Sequence, residues 1–303
     1  MKQRFEEAMA VLEHAVAINR NYAPAYFYAG LAELGRQKQK ARDVERRLRS
    51  GEPVRAENRP DFRKAIRALN NAREKAPDNL EYRQMLAEAL TESGRQRDLQ
   101  SALEQYDAII QSYRKSIRLG RPVSESAEVY FRRGLLASKL SRPRREVVAN
   151  FKNAIVLDSG RADFIARYGE ELYRNQTKKR VGDDYVLEAK SYFKLVMEQY
   201  DKNHVRSNYY MGKITLREWD KQANRRPYDT LHKLATSYFQ NVIRHNGALE
   251  FPETYFSLGN IMRDRQINGL ANEMYSKYLE TYQRSTGKQS PKFRYVQDLM
   301  RKR

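Results

Sequence analysis

The chain has 303 residues, 40% of them hydrophobic and 32% charged, and 58 basic side chains against 38 acidic ones leave a net charge of +20. Such a chain is too charged for a compact globule, yet 21 Tyr and 11 Phe exclude disorder, because disordered chains lack the aromatics that build cores. A thin fold with much surface per residue remains, and disulfides, thiolate chemistry and a membrane-spanning helix are excluded by the absence of Cys and of any apolar run of about 18 residues.

From the N-terminus, Met1 to Arg20 reads as an amphipathic helix carrying Glu6, Glu7 and Glu13, not as a secretory signal. It holds the first copy of a recurring segment. A leading residue is followed three later by a small one, four further on by a large one, and three beyond that by a small or apolar one. In chain order the copies run Phe5-Ala8-Leu12-Ala15, Phe62-Ala65-Leu69-Ala72, Leu99-Ala102-Tyr106-Ile109 and Arg144-Val147-Phe151-Ala154. Val186-Ala189-Phe193-Val196, His232-Ala235-Phe239-Val242 and Asn268-Ala271-Tyr275-Tyr278 complete the set, with the leading slot the loosest. Steps of four and three put these residues on one helical face. The small residue admits a neighbouring helix and the large one fills the gap beside it.

Before most copies lies a second helical pattern, an aromatic or apolar residue and then a pair ending in Gly. Tyr26-x-x-Ala29-Gly30, Tyr130-x-x-Arg133-Gly134, Ile165-x-x-Tyr168-Gly169 and Tyr255-x-x-Leu258-Gly259 carry it. Asn208-x-x-Met211-Gly212 is a weaker form, and Arg83-x-x-Leu86-Ala87 has Ala for Gly. Gly inside a helix costs about 0.5–1 kcal/mol relative to Ala, so its return at one register predicts close helix–helix contact.

Together these patterns resemble the tetratricopeptide-repeat (TPR) family, whose repeat has an aromatic, a Leu-Gly pair, then Ala, aromatic, Ala and a closing Pro. Pro77, in Lys75-Ala76-Pro77-Asp78-Asn79, fills the closing position; elsewhere Arg20, Ser159, Asp201 or Gln283 stands there. The resemblance covers nearly the whole chain. It implies an all-α fold, a right-handed superhelical solenoid of antiparallel helix pairs, running over 1–303 as one array of about six to seven repeats with the first incomplete. The small positions 8, 65, 102, 147, 189, 235 and 271 are spaced 57, 37, 45, 42, 46 and 36 residues apart. The family repeat is about 34, so extra residues are expected in Arg36–Pro60, Arg114–Ser126, Asn175–Tyr185 and Glu218–Thr230. Gly51-Glu52-Pro53 and Arg225-Arg226-Pro227 mark two of them. The first copy lacks its preceding helix, so the natural protein is expected to continue N-terminally. At the other end, 290–303 reads as a capping helix, begun by Ser290-Pro291 and carrying Phe293, Val296 and Leu299 at helical spacing.

Catalytic constellations are not apparent. His14, His204, His232 and His245 include no pair four apart, so no metal site sits on one helix face. There is no phosphate-cradling Gly-rich loop and no nucleophile elbow. Glu170 and Glu171 are adjacent and diverge on a helix, and Asn175-Gln176-Thr177 matches a glycosylation acceptor that is common by chance. No enzyme activity, cofactor or metal is expected. The large series 106, 151, 193, 239 and 275 is expected in the core and not as a ladder for stacking bases.

In TPR arrays the first helices line a concave groove. By register this resemblance places Phe27, Leu31, Leu34, Gln84, Glu88, Phe131, Leu135, Ala166 and Glu170 there, followed by Arg206, Tyr209, Lys213, Arg217, Phe256, Asn260 and Arg263. Such a groove would be apolar at its N-terminal end and cationic toward its C-terminal end, suiting partner proteins with acidic and apolar peptide segments. The family's Lys/Asn clamp for a C-terminal carboxylate is not reproduced. The Arg36–Arg67 stretch mixes both signs and reads as a solvated face, while Lys288–Arg303 has only Asp298 against its basic residues. A protein-interaction scaffold is therefore the first expectation. A nucleic-acid-binding helical repeat is the second, on net charge. A bacterial envelope or motility component is the third, on the absent Cys and basic surface. The same features fit a cytoplasmic or a periplasmic location.

Overall fold

The computed structural model describes residues 2–301 apart from 51, 53, 176–183 and 225. The described residues form α-helices and two short 3₁₀ turns, with no strand among them. The chain divides into two compact units, Met1–Asp158 and Ser159–Arg303.

The first unit contains α1 (Lys2–Ile18), α2 (Ala23–Arg49), a 3₁₀ turn (Ala56–Asn58), α3 (Arg63–Lys75), α4 (Leu80–Ser93), α5 (Gln96–Arg118), α6 (Ala127–Lys139) and α7 (Arg144–Leu157). Its helices pack as successive pairs, α2 on α3, α4 on α5 and α6 on α7, with α1 against α2. The second unit contains α8 (Ala162–Asn175), α9 (Asp184–Gln199), α10 (Val205–Asp220), α11 (Thr230–Arg244), a 3₁₀ turn (Gly247–Leu249), α12 (Glu253–Asp264), α13 (Asn268–Thr286) and α14 (Phe293–Arg301). Here α8 packs on α9, α10 on α11 and α12 on α13, with α14 against α13.

Five of the six pairs are locked by one recurring contact. The large residue of the second helix lies on the Gly of the first. A Cβ built on Gly134 would meet Phe151 at 3.0 Å, on Gly169 Phe193 at 3.0 Å, on Gly212 Phe239 at 2.7 Å and on Gly259 Tyr275 at 2.5 Å. In the first pair Leu69 takes the ring's place, 2.5 Å from a Cβ on Gly30. In the second pair Ala87 stands at the Gly position, and it and Tyr106 are both buried. The small residues Ala65, Ala102, Ala189 and Ala235 are fully buried, as are Phe193, Phe239 and Tyr275. The large series is therefore core, as the spacing predicts. In α1 the pattern residues are less covered: Ala8 is exposed and Leu12 and Ala15 are half-buried. The side chain of Phe5 lies outside the described ones.

Local chemistry sets the ends. After Pro77, Asn79 caps α4 by accepting from the backbone N–H of Glu81 (3.0 Å) and Tyr82 (3.2 Å). Gly94 ends that helix in the left-handed region at φ 68°. Asp229 caps α11 by accepting from the His232 N–H at 2.8 Å. Of the expected insertions, Arg36–Pro60 becomes an extension of α2 to Arg49 and the segment before α3, and Glu218–Thr230 the segment joining α10 to α11. Asn175–Tyr185 joins α8 to α9; its residues 176–183, including Gln176 and Thr177 of the acceptor tripeptide, lie outside the described residues, as do Gly51, Pro53 and Arg225. These three fall within pairs, whereas Arg114–Ser126 falls between pairs, extending α5 to Arg118. The C-terminal helix begins at Phe293; Val296 and Leu299 are buried, and Ser290 before it is buried in a hydrogen bond with the Tyr278 hydroxyl (2.7 Å).

Candidate binding surface

The first helix of each pair presents two positions four residues apart at one register: 27 and 31, 84 and 88, 131 and 135, then 166 and 170, 209 and 213, 256 and 260. In the first unit, α2 meets α4 along this face. Phe27 stacks on Tyr82 with centroids 4.4 Å apart, and Lys38 forms ion pairs with Glu88 and, at 3.5 Å, with Glu92. Phe27 and Leu34 are buried, and Phe131 is buried edge-on against Phe151 at 5.6 Å. Leu31, Gln84, Glu88 and Leu135 stay partly open. Arg133, at the position of the family's Leu, braces α6 against both neighbours, donating to Asp107 on α5 (2.6 Å) and pairing with Glu146 on α7 (2.9 Å).

In the second unit the face is ionic. Glu170 on α8 is buried, and three guanidinium groups converge on it: Arg167 (3.1 Å), Arg174 (2.6 Å) and Arg206 of α10. The Tyr210 hydroxyl also donates to it at 2.9 Å. Burial pushes this carboxyl upward, but Arg206, Arg174, Arg167 and the Tyr210 hydroxyl outweigh burial and hold it below its ordinary value. Arg206 is itself buried; it pairs with Glu250 as well, and its guanidinium lies 5.1 Å from the Phe251 ring. Tyr209 is buried and stacked on Phe251 at 4.3 Å. Ala166 is fully buried.

Farther along α10 Lys213 and Arg217, and on α12 Phe256, Asn260 and Arg263, are partly open. The Asn260 side-chain oxygen accepts from the Tyr275 hydroxyl at 2.8 Å. Phe256 lies between Tyr278 (5.4 Å) and Tyr295 (6.3 Å), and the Lys292 ammonium sits 4.1 Å above its ring. A cavity of about 410 Å³ opens behind Asn260 and Arg263, lined by Trp219, Asp220, Ile261 and Asp264 among others. Among the described residues, no three His, Asp or Glu side chains converge in a way that could hold a metal.

Alternating first and second helices, five of the six pairs closed by a large residue on a Gly, decide the architecture. The chain has the tetratricopeptide-repeat fold. Solved structures agree at low sequence identity. The C-terminal part of a TPR repeat-containing protein from Cytophaga hutchinsonii is similar over 99% of this chain and 96% of its own, with TM-score 0.55 and 13% identity. The Cut9 complex with Hcn1 from the APC/C gives TM-score 0.58 at 11% identity over 98% of this chain, which spans 46% of that one. Human IFIT1 with m7Gppp-AAAA gives 0.57 at 14% identity over 98% of this chain and 60% of its own. No protein-family model matches the sequence, and no curated protein matches it.

The TPR register thus brings together Glu170 with Arg206, while Phe27, Phe131, Arg206 and Tyr209 are buried. Sequence reasoning missed Arg167 and Arg174, although their i−3 and i+4 spacing about Glu170 was a readable signal. It also missed Phe251 and Lys292, which lie outside the repeat and reach the face only through the fold.

Proposed function

We propose that the protein is a non-enzymatic scaffold that binds partner peptides along the first-helix faces of its TPR pairs. The observation that carries this reading is the division of labour at one register. The pair-locking residues are fully buried behind the face, while Leu31, Leu135, Lys213, Arg217 and Phe256 remain partly open on it. A surface with apolar and cationic positions at helical spacing suits an extended or helical peptide with apolar anchors and acidic side chains. The test is a nuclease-treated affinity pull-down at about 0.15 M salt, where surface charge is substantially screened. Defined proteins should be retained by the parent and lost from a Leu135→Ala, Phe256→Ala variant; retention by both would reject the face.

The net charge of +20 supports a second reading, a helical repeat that binds nucleic acid. Human IFIT1, of similar fold, is seen with m7Gppp-AAAA. Several of the basic residues are paired locally, however, as Arg63 is with Asp61 (2.7 Å) and Arg46 with Asp43 (3.6 Å). Binding through several phosphates would weaken steeply between about 50 and 200 mM salt. Retention of RNA or DNA alone, with every protein lost to nuclease, would favour this reading.

A further inference from the structure

The insertion that falls between pairs, Arg114–Ser126, has no part in the first-helix face. It begins on α5, which has 23 residues where its partner α4 has 14. A tight turn at Gly94 joins the two, so the excess lies at the far end, where α5 outruns α4 by about 13 Å. The buried Tyr113 anchors the base of this tip. The chain turns back through Gly120 at φ 66°, with the Arg121 N–H donating to the Ser116 carbonyl at 2.9 Å. From Ala108 to Ser124 there is no acidic residue. Arg114, Lys115, Arg118 and Arg121 are exposed, and none of their side chains has a hydrogen bond or ion pair among the described residues. The acids that flank the stretch are taken, Asp107 by Arg133 and Glu125 by the Tyr130 hydroxyl. Among these cations Ile117 and Leu119 stand 54% and 55% exposed. The helix macrodipole accounts for cations in a last turn, but not for Arg121 beyond it or for two large apolar side chains held in water.

The tip has company along its edge. In the first unit Ile18, Val156 and Leu157 are also exposed, and they lie in the last turns of α1 and α7, which like α5 have the pattern of second helices. Alternation brings the ends of second helices to one edge of the unit. Two such ends touch where the Lys75 ammonium, closing α3, donates to the Asn21 side-chain oxygen just past α1 at 3.1 Å. A single exposed apolar residue is ordinary, whereas their return along one edge marks a contact surface.

We infer that this edge, led by the α5 tip, rests on the surface of an anionic lipid bilayer, with Ile117 and Leu119 entering the headgroup layer and the four cations meeting lipid phosphates and carboxylates. The mixture selects the occupant. Unpaired cations ring exposed aliphatic side chains, which suits an interface that is anionic outside and apolar beneath. Nucleic acid would use the cations and leave Ile117 and Leu119 in water. No described helix is long and apolar enough to cross a membrane, so the contact is peripheral. It is separate from the first-helix face and does not rest on the peptide reading.

The test is co-sedimentation of the whole, nuclease-treated chain with vesicles of phosphatidylcholine, alone or mixed with phosphatidylserine, at about 0.15 M salt. The parent should sediment with the mixed vesicles only. Each basic side chain at an anionic surface strengthens binding about fivefold, so Arg114→Gln with Arg118→Gln should weaken it about tenfold or more. Ile117→Gln with Leu119→Gln keeps every charge and should also weaken it about tenfold or more. All four positions are exposed, so neither change disturbs the core. Lys64→Gln with Arg67→Gln removes the same charge from exposed positions near the start of α3, on the other edge, and should weaken binding less than about threefold. No sedimentation of the parent, full binding by the Ile117, Leu119 variant, or equal losses in the two charge variants would each overturn the inference, the last two by showing adsorption through net charge alone. If a single-stranded oligoribonucleotide competes the vesicles away and loses its own binding in the Arg114, Arg118 variant but not in the Ile117, Leu119 variant, the tip reads nucleic-acid phosphates and the bilayer assignment is wrong.

Discussion

Replacing the pair-locking glycines by Ala tests the repeat contact directly, because two opposing quantities can be separated. In a helix interior Ala is favoured over Gly by about 0.5–1 kcal/mol. At Gly35, in α2, a Cβ meets nothing within 4 Å, so only this term acts and Gly35→Ala should stabilise by about that amount. At Gly259 the new Cβ would lie 2.5 and 2.6 Å from ring atoms of Tyr275, a fully buried ring whose hydroxyl is held by Asn260. The ring cannot turn away, so the helices must separate, and overpacking of this kind costs about 1–3 kcal/mol. The net expectation is a loss of about 0.5–2 kcal/mol. Gly30→Ala belongs in the same class, since Leu69 approaches with its Cγ at 2.5 Å and its backbone N at 3.1 Å.

The geometry also ranks the series. Gly212, with Phe239 at 2.7 Å, should fall next, and Gly134 and Gly169, with rings at 3.0 Å, should sit near zero because the two terms roughly cancel. Urea unfolding followed by far-UV circular dichroism reads the difference between variants. A Gly259→Ala protein as stable as Gly35→Ala would refute the claim that the glycines are there for close approach. So would an order unrelated to the distances.

Three further outcomes follow from the same interior. Phe193→Ala removes a fully buried ring that stacks on Tyr210 at 5.3 Å, and should cost about 3–5 kcal/mol; an unchanged Tm would contradict its core role. Glu170→Gln leaves three guanidinium groups without their buried carboxylate and should cost about 3–5 kcal/mol at neutral pH. Because the folded pKa of Glu170 is depressed, its contribution is present above the unfolded value of 4.5 and is lost as pH falls through the lower folded value, so the gap between parent and variant should close in strong acid. His232 is fully buried, with Nδ1 accepting from the Arg265 Nε–H at 3.2 Å; burial, then Arg265, lower its pKa below 6.5. The unfolded chain then takes up a proton first as pH falls below 6.5, so Tm should drop from pH 7.5 to 5.5, and His232→Gln should remove that part of the slope. Equal slopes in the two proteins would reject the assignment.

The core was legible because it obeys a period. Ala65, Leu69 and Ala72, or Ala235, Phe239 and Val242, announce one buried face by spacing alone, and a recurring Gly announces what the large residue lies on. The ionic interior was not legible in this way. Arg133 takes an apolar position of the repeat and is held by Asp107 and Glu146, 26 and 13 residues away in either direction along the chain. No periodicity marks partners on neighbouring helices, so such braces emerge only when the pairs are packed. The face was half legible for a related reason. Register says which residues point between first helices, but not which of them the next helix covers, and so Phe27 and Tyr209, apolar anchors by pattern, are taken up by Tyr82 and Phe251.

That limit bears on how such a fold acquires specificity. Residues that lock a pair are fixed by volume, since a methyl group added at Gly259 already meets a ring. Four residues from the inter-helix contacts, the register holds Leu31, Glu88, Leu135, Glu170, Lys213 and Asn260, which share no size, charge or polarity. Substitution at these positions changes the face and, except at Asn260, which holds the Tyr275 hydroxyl, leaves the Gly–aromatic contacts untouched. Two adjacent members show the range: Glu170 is saturated by its own chain, and Lys213, on the next first helix, has no hydrogen bond or ion pair among the described residues. A saturated position adds rigidity and offers nothing to a ligand, whereas an unsaturated one gains most from being completed by another molecule. Ligand chemistry on this face should therefore be read from its unsatisfied groups and not from its net charge, which counts Arg167, Arg174 and Arg206 although Glu170 already holds them.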